Sequence, residues 1–162
     1  MNTLFWQAVL AFLALPGIVA FGVPLFVLAP RRFFDALGLI PLAFGIVLLF
    51  LCVREFYLAG QGTLAPWAPP QELVVTGLYR YSRNPMYIAV VLVLGGWALG
   101  FRSRLLTIYA LAVTLAFHLR VVFGEEPWLA LTYGEKWANY TAQVPRWLQL
   151  RRRPAGRGQR AM

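Results

Sequence analysis

Four long apolar runs, separated by short clusters of arginines, acids and turn residues, set the pattern of the chain: residues 4–29, 36–53, 85–101 and 105–123. Each has about the length, roughly 17–25 residues, that a helix needs to cross a hydrocarbon layer of about 30 Å. The first run contains Pro16, Gly17 and Pro24, which predict a kink or an early end. The second carries Pro41 near its start. Arg31-Arg32 and Arg102-Ser103-Arg104 read as the turns of two helical hairpins. A polar stretch, 54–84, lies between the hairpins, with a turn-rich centre at 60–70. An amphipathic stretch, 125–147, follows the last run. The pattern therefore predicts an all-α integral membrane bundle of four transmembrane helices with an amphipathic helical region at its C-terminal, cytoplasmic face. It divides into a hairpin (1–58), a core with two further spans (59–147) and a tail (148–162).

Composition agrees. Of 162 residues, 60% are hydrophobic and 13% charged, against roughly 45–50% and about 25% in soluble domains. Soluble enzymes, disordered chains and collagens are excluded. Fifteen Lys+Arg against six Asp+Glu give a net charge of +9, and on so apolar a chain that balance points to anionic lipid headgroups. Five of the arginines (151, 152, 153, 157 and 160) lie in the last twelve residues. This tail reads as a disordered segment touching anionic lipid; it has no stacking aromatics, so no specific nucleic acid is expected. More arginines fall on the side of the central stretch and tail than on the side of the two hairpin turns. The positive-inside rule then puts both termini in the cytoplasm, in an inner or cytoplasmic membrane. The first run is too long for a signal-peptide core and is expected to be retained. The single cysteine, Cys52, lies in an apolar run, which leaves no disulfide framework.

Polar chemistry is confined to two blocks. The first, residues 71–87, ends in Arg83-Asn84-Pro85-Met86-Tyr87. Asn84 is a favoured N-cap type and Pro85 a favoured first helical residue, so a helix start with free N–H groups is expected at the membrane edge, a place that attracts anions. Arg80, Arg83, Tyr79 and Tyr87 around it suit an anionic, partly aromatic ligand; an interfacial belt of Tyr and Arg uses the same residue types. The second block runs from His118 through Arg120 to Glu125-Glu126. His118 and Glu125, seven apart, share a face of a continuous helix, whereas Arg120 lies elsewhere unless Gly124 disturbs it. Charges at membrane depth are usually paired or functional, although Arg120 can also snorkel and the two acids can be a solvated helix end. A lone histidine builds no metal site, and none is expected.

In these blocks the sequence resembles the integral-membrane methyltransferases related to isoprenylcysteine carboxyl methyltransferase and the phospholipid N-methyltransferases. The pattern R-H-P-x-Y-x-G is similar to Arg83-Asn84-Pro85-Met86-Tyr87-Ile88-Ala89, preceded by Leu73-Val74-x-x-Gly77-x-Tyr79. The pattern E-E-x-x-L is similar to Glu125-Glu126-Pro127-Trp128-Leu129, continuing as Tyr133-Gly134-x-x-Trp137-x-x-Tyr140-x-x-x-Val144-Pro145-Arg146. The resemblance covers about half the chain, residues 60–147. It implies S-adenosyl-L-methionine bound at the cytoplasmic face and a lipophilic acceptor arriving from the bilayer. Carried over by position, Leu73, Val74, Tyr79, Asn84, Pro85, Met86 and Tyr87 line the cofactor pocket and Glu125 binds the cofactor; Gln71, Arg83 and Glu126 of the same blocks complete the candidate cofactor-binding set, and the reading of the residues themselves adds Arg120, Glu125 and His118 as candidate catalytic groups.

There are departures. Asn84 stands where the pattern has His, and Ala89 where it has Gly. Val121 stands where the carboxyl-methylating branch has a substrate-binding Arg, with Arg120 beside it, so Arg120 can substitute only through a local change of helix register. The expected activity is methyl transfer to a carboxylate, thiol or amine of a lipophilic or membrane-associated acceptor. An NADPH-dependent membrane reductase related to sterol reductases and a non-enzymatic lipid-binding protein are the alternatives.

Overall fold

The computed structural model describes residues 13–28, 34–59 and 72–148, and every regular element among them is helical. Helix α1 opens as a π-helical stretch, Leu13–Gly22, containing Pro16, and continues as Val23–Leu28. A 3-10 turn, Ala36–Gly38, leads into α2, Leu39–Ala59; Asp35 caps the turn by accepting from Leu37 N at 3.0 Å. Helix α3, Pro85–Gly100, starts with proline in its first turn, where a missing N–H leaves no hydrogen bond unmade. Helix α4, Arg104–Arg120, is capped by the Ser103 hydroxyl. It runs through a π turn, Val121–Glu125, into α5, Glu126–Tyr133. Gly134, at φ +50°, then breaks the path before α6, Glu135–Gln143.

Two stretches, Ala36–Glu55 and Arg104–Tyr133, are long and apolar enough to cross a membrane; Pro16–Val27 and Pro85–Gly100 are shorter apolar helices. Only 22% and 11% of the apolar windows in the two long helices are buried inside the protein. Ile40, Phe44, Val47 and Phe50 on α2, and Ile108, Leu111 and Leu115 on α4, face outward. A core helix of a soluble protein is covered by its neighbours, whereas outward apolar faces of this extent suit a hydrocarbon surrounding. The fourth apolar run, read as ending at residue 123, lies in a helix that continues to Tyr133.

Helices α2 and α3 pack backbone to backbone. A Cβ on Gly45 would lie 2.8 Å from Ala89 O, and one on Gly96 would lie 2.6 Å from Leu42 N. Small residues let two helices approach this closely where hydrocarbon supplies no hydrophobic drive. Leu49, Val90, Val93 and Leu94 fill the core beside this seam, and α1 joins it through Ala20. At one end of the bundle Asp35 N donates to Gly100 O at 2.6 Å, and Arg102 Nε donates to Asp35 Oδ2 at 3.1 Å. The loop 72–84, the π turn, α5 and α6 gather at the opposite end. The first nine residues of run one, the turn at Arg31-Arg32, the centre 60–70 with Gln71, and the tail from 149 onward lie outside the described residues.

Candidate functional site

The π turn fixes the site. In a straight α-helix, residues five apart lie about 140° apart around the axis, so Arg120 and Glu125 would point to different sides. The i→i+5 pattern removes that offset: Arg120 Nε donates to Glu125 Oε1 at 2.8 Å. The Tyr87 hydroxyl from the first turn of α3 donates to the same oxygen. Both bonds fall on Oε1. The turn also separates the pair expected to share a face: Glu125 takes Arg120 and Tyr87, and His118 instead stacks on Trp147 with ring centroids 6.0 Å apart.

Glu126 organises the other half. Arg146 grips it with two bonds, Nε to Oε1 at 2.9 Å and Nη2 to Oε2 at 2.7 Å, and Arg83 Nη1 reaches Oε1 at 2.9 Å. The Arg83 guanidinium lies 5.5 Å from the Trp137 ring centroid. Burial pulls Arg83 below the usual guanidinium range while Glu126 opposes that pull, and the bonds to Glu126 raise Arg146. Arg83 Nε is buried and has no partner among the described residues. Bonds to backbone carbonyls lock the same junction: Arg83 N donates to Pro145 O at 2.9 Å, and the Tyr140 hydroxyl to Tyr79 O at 2.7 Å. The Asn84 side chain does not cap α3. It turns to the segment after α6 instead, and Nδ2 donates to Arg146 O at 2.9 Å.

The remaining candidates have mainly packing positions. Val74 and Tyr79 are buried with Cys52, and Leu78 and Met86 pack against them. Leu73 packs on a cluster made by Trp137 and Tyr140 from the apolar face of α6 and by Val144 just beyond its end. Pro85 is buried at the start of α3. Sequence reasoning left Arg146 and Trp147 out of the candidate site. The only signal for Arg146 was its place at the end of the Val144-Pro145-Arg146 match, and none pointed to Trp147. Alongside the site a groove of about 530 Å³ runs between α3 and α4. Ile88, Val91 and Leu92 line one wall and Leu111, Leu115 and Phe117 the other, with Tyr87, His118 and Trp147 at the polar end.

Such a site can hold a polar, charged molecule at the junction of loop and helices, and an apolar one in the groove beside it. Comparison with known proteins supplies the chemistry: residues 33–136 match the family model described as phospholipid methyltransferase. No curated protein and no solved structure matches the chain.

Proposed function

The chain belongs to the phospholipid methyltransferase family, and from that premise we propose that it transfers the methyl group of S-adenosyl-L-methionine to a lipophilic acceptor at the cytoplasmic face of the membrane. The observation that carries this reading is the interlock of two segments some forty residues apart. Tyr87 and Arg83 meet Glu125 and Glu126 at the end of the apolar helices opposite the Asp35–Arg102 pair.

The residues present fit the cofactor. Glu125 Oε2, free of the two bonds on Oε1, suits an ammonium or a ribose hydroxyl, and Arg83 Nε, a buried donor without an acceptor, suits a carboxylate. When bound, the cofactor supplies a sulfonium methyl that an acceptor lone pair takes in line, the C–S bond breaking with its electrons left on sulfur. Tyr87, Phe117 and Trp147 shield the junction from water, and the groove orients the acceptor. A carboxylate or thiolate acceptor needs no base. An amine must be neutral to attack and afterwards carries one proton more than the product amine; His118 at the groove, or Glu125, takes it. Four membrane-crossing helices, with both termini on the side of the site, complete the reading, and the arginine-rich tail anchors to anionic headgroups there.

Calorimetry with S-adenosylhomocysteine on the detergent-purified chain tests the proposal. Wild type binds at roughly micromolar Kd, and Glu125→Ala and Tyr87→Ala bind at least about tenfold more weakly. A folded wild type that does not bind, or that binds NADPH instead, overturns it.

A further inference from the structure

A second acidic contact joins α2 to the loop 72–84. Thr76 precedes the 3-10 turn Gly77–Arg80 and is a residue type that commonly caps a helical turn with its hydroxyl, yet it makes no such cap. The hydroxyl donates instead to Glu55 Oε2, near the end of α2, at 2.9 Å. Gly77, next in the chain, takes φ +56°, and a Cβ there would lie 2.6 Å from Glu55 Cδ, so the carboxylate sits directly against the turn. The Glu55 side chain is 19% exposed, and its other partner is an outward-lying Arg54 at 3.4 Å. Beside this contact α2 and the turn stand apart: a pocket of about 350 Å³ opens between them, with Leu51 on one wall and Leu78 and Tyr81 on the other. Glu55 is a strut across that gap. Inward of it, Val74 and Tyr79 pack over Cys52 of α2. The far half of the loop is held from α6 and beyond, through Tyr79 O and Arg83 N. The near half, which carries Val74 and Tyr79, has its polar tie to α2 through Glu55.

We propose that Glu55 is a positioning residue for the cofactor. Its bond to Thr76 holds the turn Gly77–Arg80 down on α2 and so keeps Val74 and Tyr79 in the binding arrangement. The assignment rests on the methyltransferase reading above. Glu55 touches neither cofactor nor acceptor in it, and what the turn needs from Glu55 is an accepting oxygen rather than a charge.

Two measurements on the detergent-purified full chain test this together: the Kd of S-adenosylhomocysteine by calorimetry, and the rate at which a maleimide labels Cys52 in the folded protein. Cys52 is buried beneath Tyr79, so labelling reports lifting of the turn whether or not a cofactor binds. Glu55→Ala raises the labelling rate about tenfold and the Kd about threefold to tenfold, the scale on which one bond to a carboxylate acts. Thr76→Val removes the same bond from the other side with little change of shape and has the same effect; it carries the test should Glu55→Ala not fold. The double variant is no worse than either single one, because both delete one interaction. Glu55→Gln, whose amide oxygen still accepts, stays within about twofold of wild type in both measurements. Gly96→Ala, which destabilises the chain at the α2–α3 seam, leaves the Kd within about twofold and so separates positioning from loss of stability. If wild type binds no S-adenosylhomocysteine, the methyltransferase reading fails, and the labelling series alone decides whether Glu55 holds the turn. Glu55→Gln as damaging as Glu55→Ala, wild-type values in Thr76→Val, additive losses in the double variant, or faster labelling without weaker binding in a chain that binds the ligand overturns the inference.

Discussion

Removing the Glu126 carboxylate tests the physical reading of the junction most directly. In Glu126→Ala three charge-assisted bonds disappear at once: two from Arg146 and one from Arg83. The two arginines then fare differently. Arg146, with a side chain 35% exposed, turns to water. Arg83 is 13% exposed and already has a partnerless Nε, so it is left as a guanidinium without an acceptor. Breaking a fully buried pair by removing one partner costs about 3–5 kcal/mol; with the exposure of this cluster the expected loss is about 2–4 kcal/mol. At about 2–4 °C per kcal/mol for a chain of this size, the melting temperature falls by about 4–16 °C. The chain carries its own reporter, since its single cysteine, Cys52, is 0% exposed. A thiol-reactive fluorophore therefore reads unfolding in detergent. Arg146→Gln keeps the Arg83–Glu126 pair and loses distinctly less. Glu126→Ala melting with wild type, or Arg146→Gln losing as much as Glu126→Ala, refutes the assignment of Glu126 as the shared acceptor.

The same dye assay separates two adjacent glycines. Gly96→Ala drives a Cβ into the α2 backbone and costs about 1–3 kcal/mol, whereas Gly95→Ala, with nothing within 4 Å, is neutral or slightly stabilising through helix propensity. At the other end of the bundle, the bond from Leu37 N and the Arg102 guanidinium hold the Asp35 carboxyl below its ordinary value of 3.8. A depressed carboxylate contributes stability above its unfolded value and loses it as pH falls through the folded one. Wild type should therefore melt above Asp35→Asn at pH 7, with the gap closing below about pH 4; a gap that persists in acid would show that Asp35 acts through something other than its charge.

Helices were legible in the sequence because their apolar runs are long and their starts are marked by Ser103 and Pro85. The end of the fourth run was not. Gly124, two acids and Pro127 look like a stop, yet the helix passes through them. Glu126 N already bonds back to Val121 O, and Pro127, with no N–H to offer, sits within the first turn of α5. A change from α to π hydrogen bonding has no signature in periodicity, so neither the Arg120–Glu125 pair nor the parting of His118 from Glu125 was readable. Asn84 was correctly located at a helix start and wrongly aimed. A carbonyl from residue 146, more than sixty positions away, competes for its side chain, and nothing local announces that. Tyr87, Glu125, Arg83 and Glu126 were legible as residues, and their pairings were not.

The glycine seam between α2 and α3 has a mechanical consequence. Where two helices touch through backbone atoms, no side chain remains to change rotamer and let them part, and a close-packed contact yields little to small forces. The two helices therefore travel as one stiff plate. Across α3 the contact with α4 is made by side chains around a groove, and rotamer changes there are fast and shallow. Of these two contacts of α3, the one with α4 is therefore the more compliant. Residues at the seam set the stiffness of the frame, and those along α4 set how far it gives.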